Sequence, residues 1–314
     1  MPDFFIVGHH KSGTTALYEM LARHPQIFMS AIKEPRYLAQ DMRPRFPSQR
    51  GHALPQTLDE YLSLFAGATA GQRAGEATPS YLLSHTAAAR IAELQPRARV
   101  IALLREPATF LHSLHLQLLR SHVETEKDLL KAIALEALRR EGKRIPARSH
   151  LPQLLQYSEH VHYAEQLKRY HAVLPAEQVL VLIFEEFQSD NQATLQRVLR
   201  FLDVDDEHEL DELHPKRTTH AMRSQQLDDI MYSVTQGSSP TARAARATVK
   251  ALAPRRLRRG AFRTVRRKGV LEDVTPPDDR LVRELRHRFR SDVEAVSAYL
   301  GRDLVSLWGY GQLA

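Results

Sequence analysis

The feature that most constrains this chain lies at its N-terminal end. An apolar run, Asp3 to Gly8 (DFFIVG), closes on glycine and opens the stretch GHHKSGTT; Thr14 to Arg23 then sets Ala16, Leu17, Met20 and Leu21 at helical spacing. Strand, loop and helix in that order build an anion cradle, because the first N–H groups of a helix lack intrahelical partners and sit at the positive end of its dipole. Lys11 adds a point charge, Gly13 lets the backbone approach closely, and Thr14 and Thr15 carry hydroxyl donors. The loop selects a phosphate or sulfate. It is not a Walker A loop, because its lysine stands two residues before the glycine rather than directly after one. A lysine placed early meets a short, diphosphate-like group instead of a triphosphate beside Mg²⁺.

Two further apolar runs repeat the step. Arg99 to Leu104 (RVIALL) leads through Arg105, Glu106 and Pro107 into a helix continuing to about Arg120, with proline well suited to the first turn. Gln178 to Phe187 precedes Ser189 and Asp190, both suited to cap a helix whose Leu195, Val198, Leu199 and Leu202 share one face. Near-continuous apolar strands, each feeding a helix, predict a parallel sheet covered on both faces, hence a three-layer α/β sandwich with helical insertions. Helical patterns are expected over 58–65, 87–94, 126–140 and 151–173.

The remaining third has a different texture. Gln236 to Pro240 reads as a loop, a basic Ala/Arg-rich helical insertion spans about 241–268, and a helix follows over about 278–300. The tail with the single tryptophan, Trp308, is expected to pack back on the domain. We expect one domain over residues 1–314. With 43% hydrophobic and 26% charged residues the chain has the balance of a globular protein and not of a disordered one. No run approaches the roughly 18 apolar residues of a membrane span, and no basic leader precedes the first strand, so a soluble cytoplasmic protein is expected. The absence of cysteine excludes disulfides, thiolate metal sites and cysteine nucleophiles.

At this loop the chain resembles the sulfotransferases that use 3'-phosphoadenosine 5'-phosphosulfate (PAPS), in particular their bacterial and glycan-modifying branch, whose first strand ends in K-x-G-T-[TR]. Phe4 to Leu21 carry the match. The resemblance implies that Lys11 contacts the bridging oxygen and 5'-phosphosulfate, with Ser12, Gly13, Thr14 and Thr15 supplying further donors. It also implies an arginine ending a central strand with a serine eight residues on, both gripping the 3'-phosphate; Arg105 and Ser113 have that spacing. Independently, Arg105 stands at the carboxyl end of a strand, where open α/β sheets bind ligands, and Ser113 lies about two turns into the next helix. An alternative is that Arg105 merely pairs with Glu106.

Ile32 to Asp41 (IKEPRYLAQD) is similar to the family's K-E-P-x-[YF]-[FL] segment, which implies Glu34 as the base for the acceptor hydroxyl. Lys33 and Arg36 would lower the Glu34 pKa while burial would raise it. His10, and beside it His9, compete for the role from within the loop. Gly75 to Leu82 (GEATPSYL) resembles a segment lining the cleft, so Glu76 and Tyr81 become acceptor contacts, with a packed aromatic as the alternative for Tyr81. Ala77 departs from the lysine that glycan-modifying members carry. His214 to Ser224 falls where the family closes a loop over adenosine and the 3'-phosphate, so the resemblance implies Lys216, Arg217 and above all Arg223 there; a solvated basic loop is the alternative.

The histidine pairs His112/His115 and His160/His162 lack the context of a metal site, and no metal is implied. The formal charge of +7 peaks between Arg243 and Lys268. That segment is a solvated helix, a lid over the acceptor cleft, or an attachment to an anionic or membrane-borne acceptor; without interleaved aromatics it does not read as a nucleic-acid site. The expected function is sulfuryl transfer from PAPS to a hydroxyl, secondarily an amine, of a glycan, glycolipid or small molecule. The alternatives are a kinase with an irregular phosphate loop, or a noncatalytic protein binding nucleotides or acidic polymers.

Overall fold

A computed structural model describes residues 1–42, 54–207, 220–222, 271–273 and 276–311. In chain order its elements are β1 (Phe4–Gly8), α1 (Thr14–Leu21), β2 (Ile27–Met29), α2 (Leu58–Ser63), β3 (Arg73–Ala77), α3 (Ala87–Leu94), β4 (Arg99–Leu104) and α4 (Pro107–Arg120). There follow α5 (Leu129–Ala134), α6 (Glu136–Arg140), α7 (Tyr163–His171), β5 (Val179–Ile183), α8 (Phe184–Ser189) and α9 (Asn191–Phe201). A short antiparallel pair, β6 (His220–Met222) and β7 (Leu271–Asp273), precedes α10 (Asp279–Arg288), α11 (Arg290–Leu300) and α12 (Leu304–Leu307).

The five strands β1 to β5 pair in parallel in the order β2-β3-β1-β4-β5. Phe4 and Ile6 of β1 join the core formed with α1 and α9, whereas Phe5 and Val7 join the core formed with α3, α4, α7, α10 and α11. A strand buried on both faces has no solvent side, which is why the run is apolar without alternation. All four side chains are fully buried, each contributing about 1.5–3 kcal/mol. The expected three-layer α/β sandwich is the observed architecture.

The sheet has two strands that no apolar run announces. β2 is three residues long, and β3 reads Arg-Ala-Gly-Glu-Ala, with no β-branched or aromatic residue. β3 is a strand because β1 and β2 pair on either side of it. Gly75 is required there: a Cβ would lie 2.2 Å from the Phe4 ring.

Three expected helices are shorter or broken. The 151–173 pattern yields two 3-10 turns, Pro152–Leu155 and Ser158–His160, before α7. Tyr157 turns inward to bond Glu124, while the Ser158 N–H donates to Glu136. The 126–140 pattern divides into α5, capped by Asp128, and α6. The 278–300 pattern divides at Phe289, which sits between α10 and α11 with its ring in the core. Trp308 does pack back, 2% exposed. The basic segment Arg243 to Lys268 and the Gln236 to Pro240 loop lie outside the described residues. No helix among the described residues is long and apolar enough to cross a membrane.

Candidate active site

β1 and β4 are neighbours, yet the helices that follow them leave to opposite faces: α1 packs on one core and α4 on the other. Such a switch opens a crevice at the carboxyl ends of the two strands, where ligands of open α/β sheets bind. The loop after β1 and Arg105 after β4 flank it.

The loop is shaped by two left-handed residues, Lys11 at φ 72° and Gly13 at φ 87°. Gly13 is the N-cap of α1, and a Cβ there would press on Phe184 at 3.1 Å and Phe187 at 3.2 Å. Glycine is thus needed both for its dihedral and for space. Ser12 is fully buried, and its Oγ has no hydrogen-bond partner among the described residues. Thr14 is buried and Thr15 half-buried at the first turn of α1.

Arg105 donates from Nη1 to the Lys11 carbonyl at 2.7 Å, joining the two anion motifs across the crevice. Its guanidinium lies 4.6 Å from the Phe184 ring centroid. Burial pulls its pKa below the usual arginine value, opposed by Glu185, Tyr163 and Glu106. Its Nε is buried without a partner among the described residues. Glu106 makes no ion pair with it among the described residues. That carboxylate caps α4, accepting from the Thr109 N–H at 2.7 Å, and pairs with Arg286 at 3.3 Å. The Arg105 backbone is braced by Tyr163, whose hydroxyl donates to its carbonyl at 2.8 Å. Ser113 is buried on α4.

On the other flank, Glu34 follows β2 and is 7% exposed. Its carboxylate meets Lys33 Nζ at 3.3 Å and Arg36 Nη2 at 2.8 Å. Glu34 and Arg36 both adopt positive φ, 62° and 57°, around Pro35. Left-handed non-glycine residues of this kind each cost about 1–3 kcal/mol and concentrate at functional sites. The turn is pinned to the sheet by the Glu34 N–H, which donates to the Ala77 carbonyl at 3.0 Å. Since β3 lies between this turn and β1, the Glu34 backbone stands two strand spacings, roughly 10 Å, from the strand that opens the loop. Lys11, Arg105 and Glu34 thus share the carboxyl edge of one sheet.

Other expectations change. His9 is not available as a base: its Nε2 pairs with Gln166 Oε1 at 2.9 Å, its Nδ1 lies 3.4 Å from His160 Nδ1, and burial pulls its pKa down to about 3. His10 stays half-buried in the loop. Glu76 and Tyr81 are fully buried and bonded to each other at 3.0 Å, so neither lines an open cleft. Both ring nitrogens of His115 are engaged, by Tyr157 and the Lys127 carbonyl. Those of His160 are engaged by His9 and the Leu154 carbonyl. Arg223, with Lys216 and Arg217, lies outside the described residues.

The sequence reading missed the brace behind Arg105. The Trp308 indole N–H donates to Glu185 Oε2 at 2.9 Å, and Glu185 Oε1 accepts from the Glu106 N–H at 3.1 Å. No local pattern announces a contact spanning 123 residues.

A parallel α/β sheet with a short anion loop, a crossing arginine and a cation-flanked carboxylate at one edge is the arrangement of a group-transfer protein. The chain belongs to the sulfotransferase domain family, whose model matches residues 1–248. Carbohydrate sulfotransferase 15 of Mus musculus is 26% identical, over 65% of this chain and 44% of that protein. Bifunctional heparan sulfate N-deacetylase/N-sulfotransferase 3 of Homo sapiens is 27% identical, over 65% of this chain and 22% of that one. The chain therefore spans less than half the length of these curated relatives. A sulfotransferase from Alicyclobacillus acidocaldarius superposes with a TM-score of 0.68 at 25% identity, covering 98% of this chain and 99% of that one.

Proposed function

We propose that this protein transfers a sulfuryl group from PAPS to a hydroxyl of a carbohydrate-type acceptor, releasing adenosine 3',5'-bisphosphate. The observation that carries the reading is the Arg105 bond to the Lys11 carbonyl, which makes one clamp of two anion motifs. The residues fit a donor with two anionic ends. The unpartnered Ser12 Oγ and the α1 N-terminus suit the 5'-phosphosulfate, and the unpartnered Arg105 Nε, with Ser113 on the helix that follows, suits the 3'-phosphate. The names of the carbohydrate and heparan sulfate relatives support a sugar acceptor.

In this reading Glu34 takes the acceptor proton as the acceptor oxygen bonds sulfur, and the sulfur–oxygen bond to the 5'-phosphate breaks on the opposite side. Lys11, Ser12, Gly13, Thr14 and Thr15 neutralise the charge left on that phosphate. Lys33 and Arg36 hold the Glu34 carboxylate in one orientation before the acceptor arrives. The whole chain acts as one sulfotransferase domain, with Arg223 completing the 3'-phosphate site and Arg243 to Lys268 meeting an anionic acceptor.

Calorimetry with adenosine 3',5'-bisphosphate against ATP tests the donor: tighter binding of the 3'-phosphorylated nucleotide is expected, and a preference for ATP with Mg²⁺ would transfer the fold to kinase chemistry. Labelled PAPS offered with a panel of glycans, followed by mass spectrometry, identifies the acceptor. Glu34→Gln should lower transfer by about 10²- to 10⁴-fold, leaving a measurable remainder, with nucleotide binding unchanged; full turnover by that variant refutes Glu34 as the base.

A further inference from the structure

The Glu76 carboxylate is fully buried and takes three hydroxyl donors. Tyr61 donates to Oε1 at 2.5 Å, Tyr81 to the same oxygen at 3.0 Å, and Thr78 to Oε2 at 2.6 Å. A carboxylate in the interior is costly, and nothing in the fold of β3 alone demands one there. What the cluster holds is the segment that bears Glu34. The Tyr81 hydroxyl, while donating to Glu76, accepts from the Leu38 N–H at 3.1 Å. The Tyr37 ring stacks on Tyr61 with centroids 4.9 Å apart. The Glu34 N–H donates to the Ala77 carbonyl, next to Glu76 along β3.

The strained turn is thus fastened at both ends and in its middle to elements that converge on one carboxylate. The chain from the Leu38 N–H through the Tyr81 hydroxyl to Glu76 is cooperative, since each bond polarises the next in a dry environment. Two left-handed residues in a row of five would relax unless such contacts over-determined them.

We propose that Glu76, acting through the Tyr81 and Tyr61 hydroxyls, is the positioning residue that holds Glu34 in its reactive place. This rests on Glu34 being the base.

Tyr81→Phe removes the hydroxyl that links the cluster to Leu38 and leaves the ring in the core. Hydrogen exchange followed by mass spectrometry should show amides of residues 33–39 exchanging about tenfold faster, with the peptide over residues 4–21 unchanged. Equal acceleration along the whole sheet, or none at 33–39, overturns the proposal. In labelled-PAPS turnover on the panel glycan with the highest transfer, Tyr81→Phe should lower kcat by about 10- to 100-fold with the adenosine 3',5'-bisphosphate Kd unchanged. In a Glu34→Gln background the same substitution should produce no further loss. The same factor lost in both backgrounds means a general structural role and refutes the positioning role. Full turnover by Glu34→Gln alone is a different failure, that of the base. Should Tyr81→Phe not fold, Tyr61→Phe, which removes the other hydroxyl on Glu76 Oε1 and keeps the ring against Tyr37, carries the same exchange measurement and the same cycle.

Discussion

Replacing Glu76 by Gln tests the electrostatics of the interior on its own, independently of any ligand. Desolvation raises the Glu76 carboxyl from 4.5 to about 7, against the opposing effect of its three hydroxyl donors. The folded protein therefore keeps that proton to higher pH than the unfolded chain. Between about pH 4.5 and 7 it binds more protons than the unfolded chain, so stability is lost as pH rises across that window and is constant above it. At about 1.4 kcal/mol per pH unit, the difference amounts to about 3 kcal/mol. Tyr61, Tyr81 and Tyr170 around it are all pushed above the usual tyrosine range by burial, so they stay silent in this window. Glutamine is nearly isosteric with the protonated acid. Its oxygen can accept from Tyr61 and Tyr81, and its amide can donate to a rotated Thr78 hydroxyl. Urea unfolding from about pH 4 to pH 8 should give equal stabilities for wild type and Glu76→Gln at the acid end. The variant should gain about 3 kcal/mol relative to wild type by the alkaline end, with unchanged m-values. A constant offset, or a gap that widens toward acid, refutes the reasoning.

Ser12→Ala should stabilise the ligand-free protein by about 1 kcal/mol, because an unpartnered buried hydroxyl is lost, and should weaken adenosine 3',5'-bisphosphate binding about tenfold; urea unfolding and calorimetry on one preparation read both. Trp308→Phe removes the indole donor to Glu185 and should lower stability by about 1–2 kcal/mol; it should also weaken nucleotide binding through the Glu106 N–H that shares that carboxylate, whereas unchanged affinity would detach the C-terminal brace from Arg105.

What the sequence by itself determined is local in origin. The apolar runs at β1 and β4, the early lysine with Gly13, Pro107 opening α4 and Asp190 capping α9 all act within a few residues of themselves, and each stands where the pattern placed it, whereas only the first half of the run from Gln178 to Phe187 is β5 and its second half opens α8. The α/β class and the anion loop followed from them. Contacts between distant residues left no such trace. β3 became a strand through its two neighbours, and the helical pattern before α7 broke up as Tyr157 turned in toward Glu124. His9, to sequence a candidate base in the loop, became a neutral ring because packing buries it beside Gln166 of α7, and Glu76 changed from a cleft residue into a buried group once Tyr61 of α2 reached it. The physical reason is the same throughout: helical periodicity, capping and glycine freedom are properties of adjacent residues, whereas burial and the partner of a polar group depend on strand order and helix packing. Only the folded sheet brings Lys11, Arg105 and Glu34 to one edge.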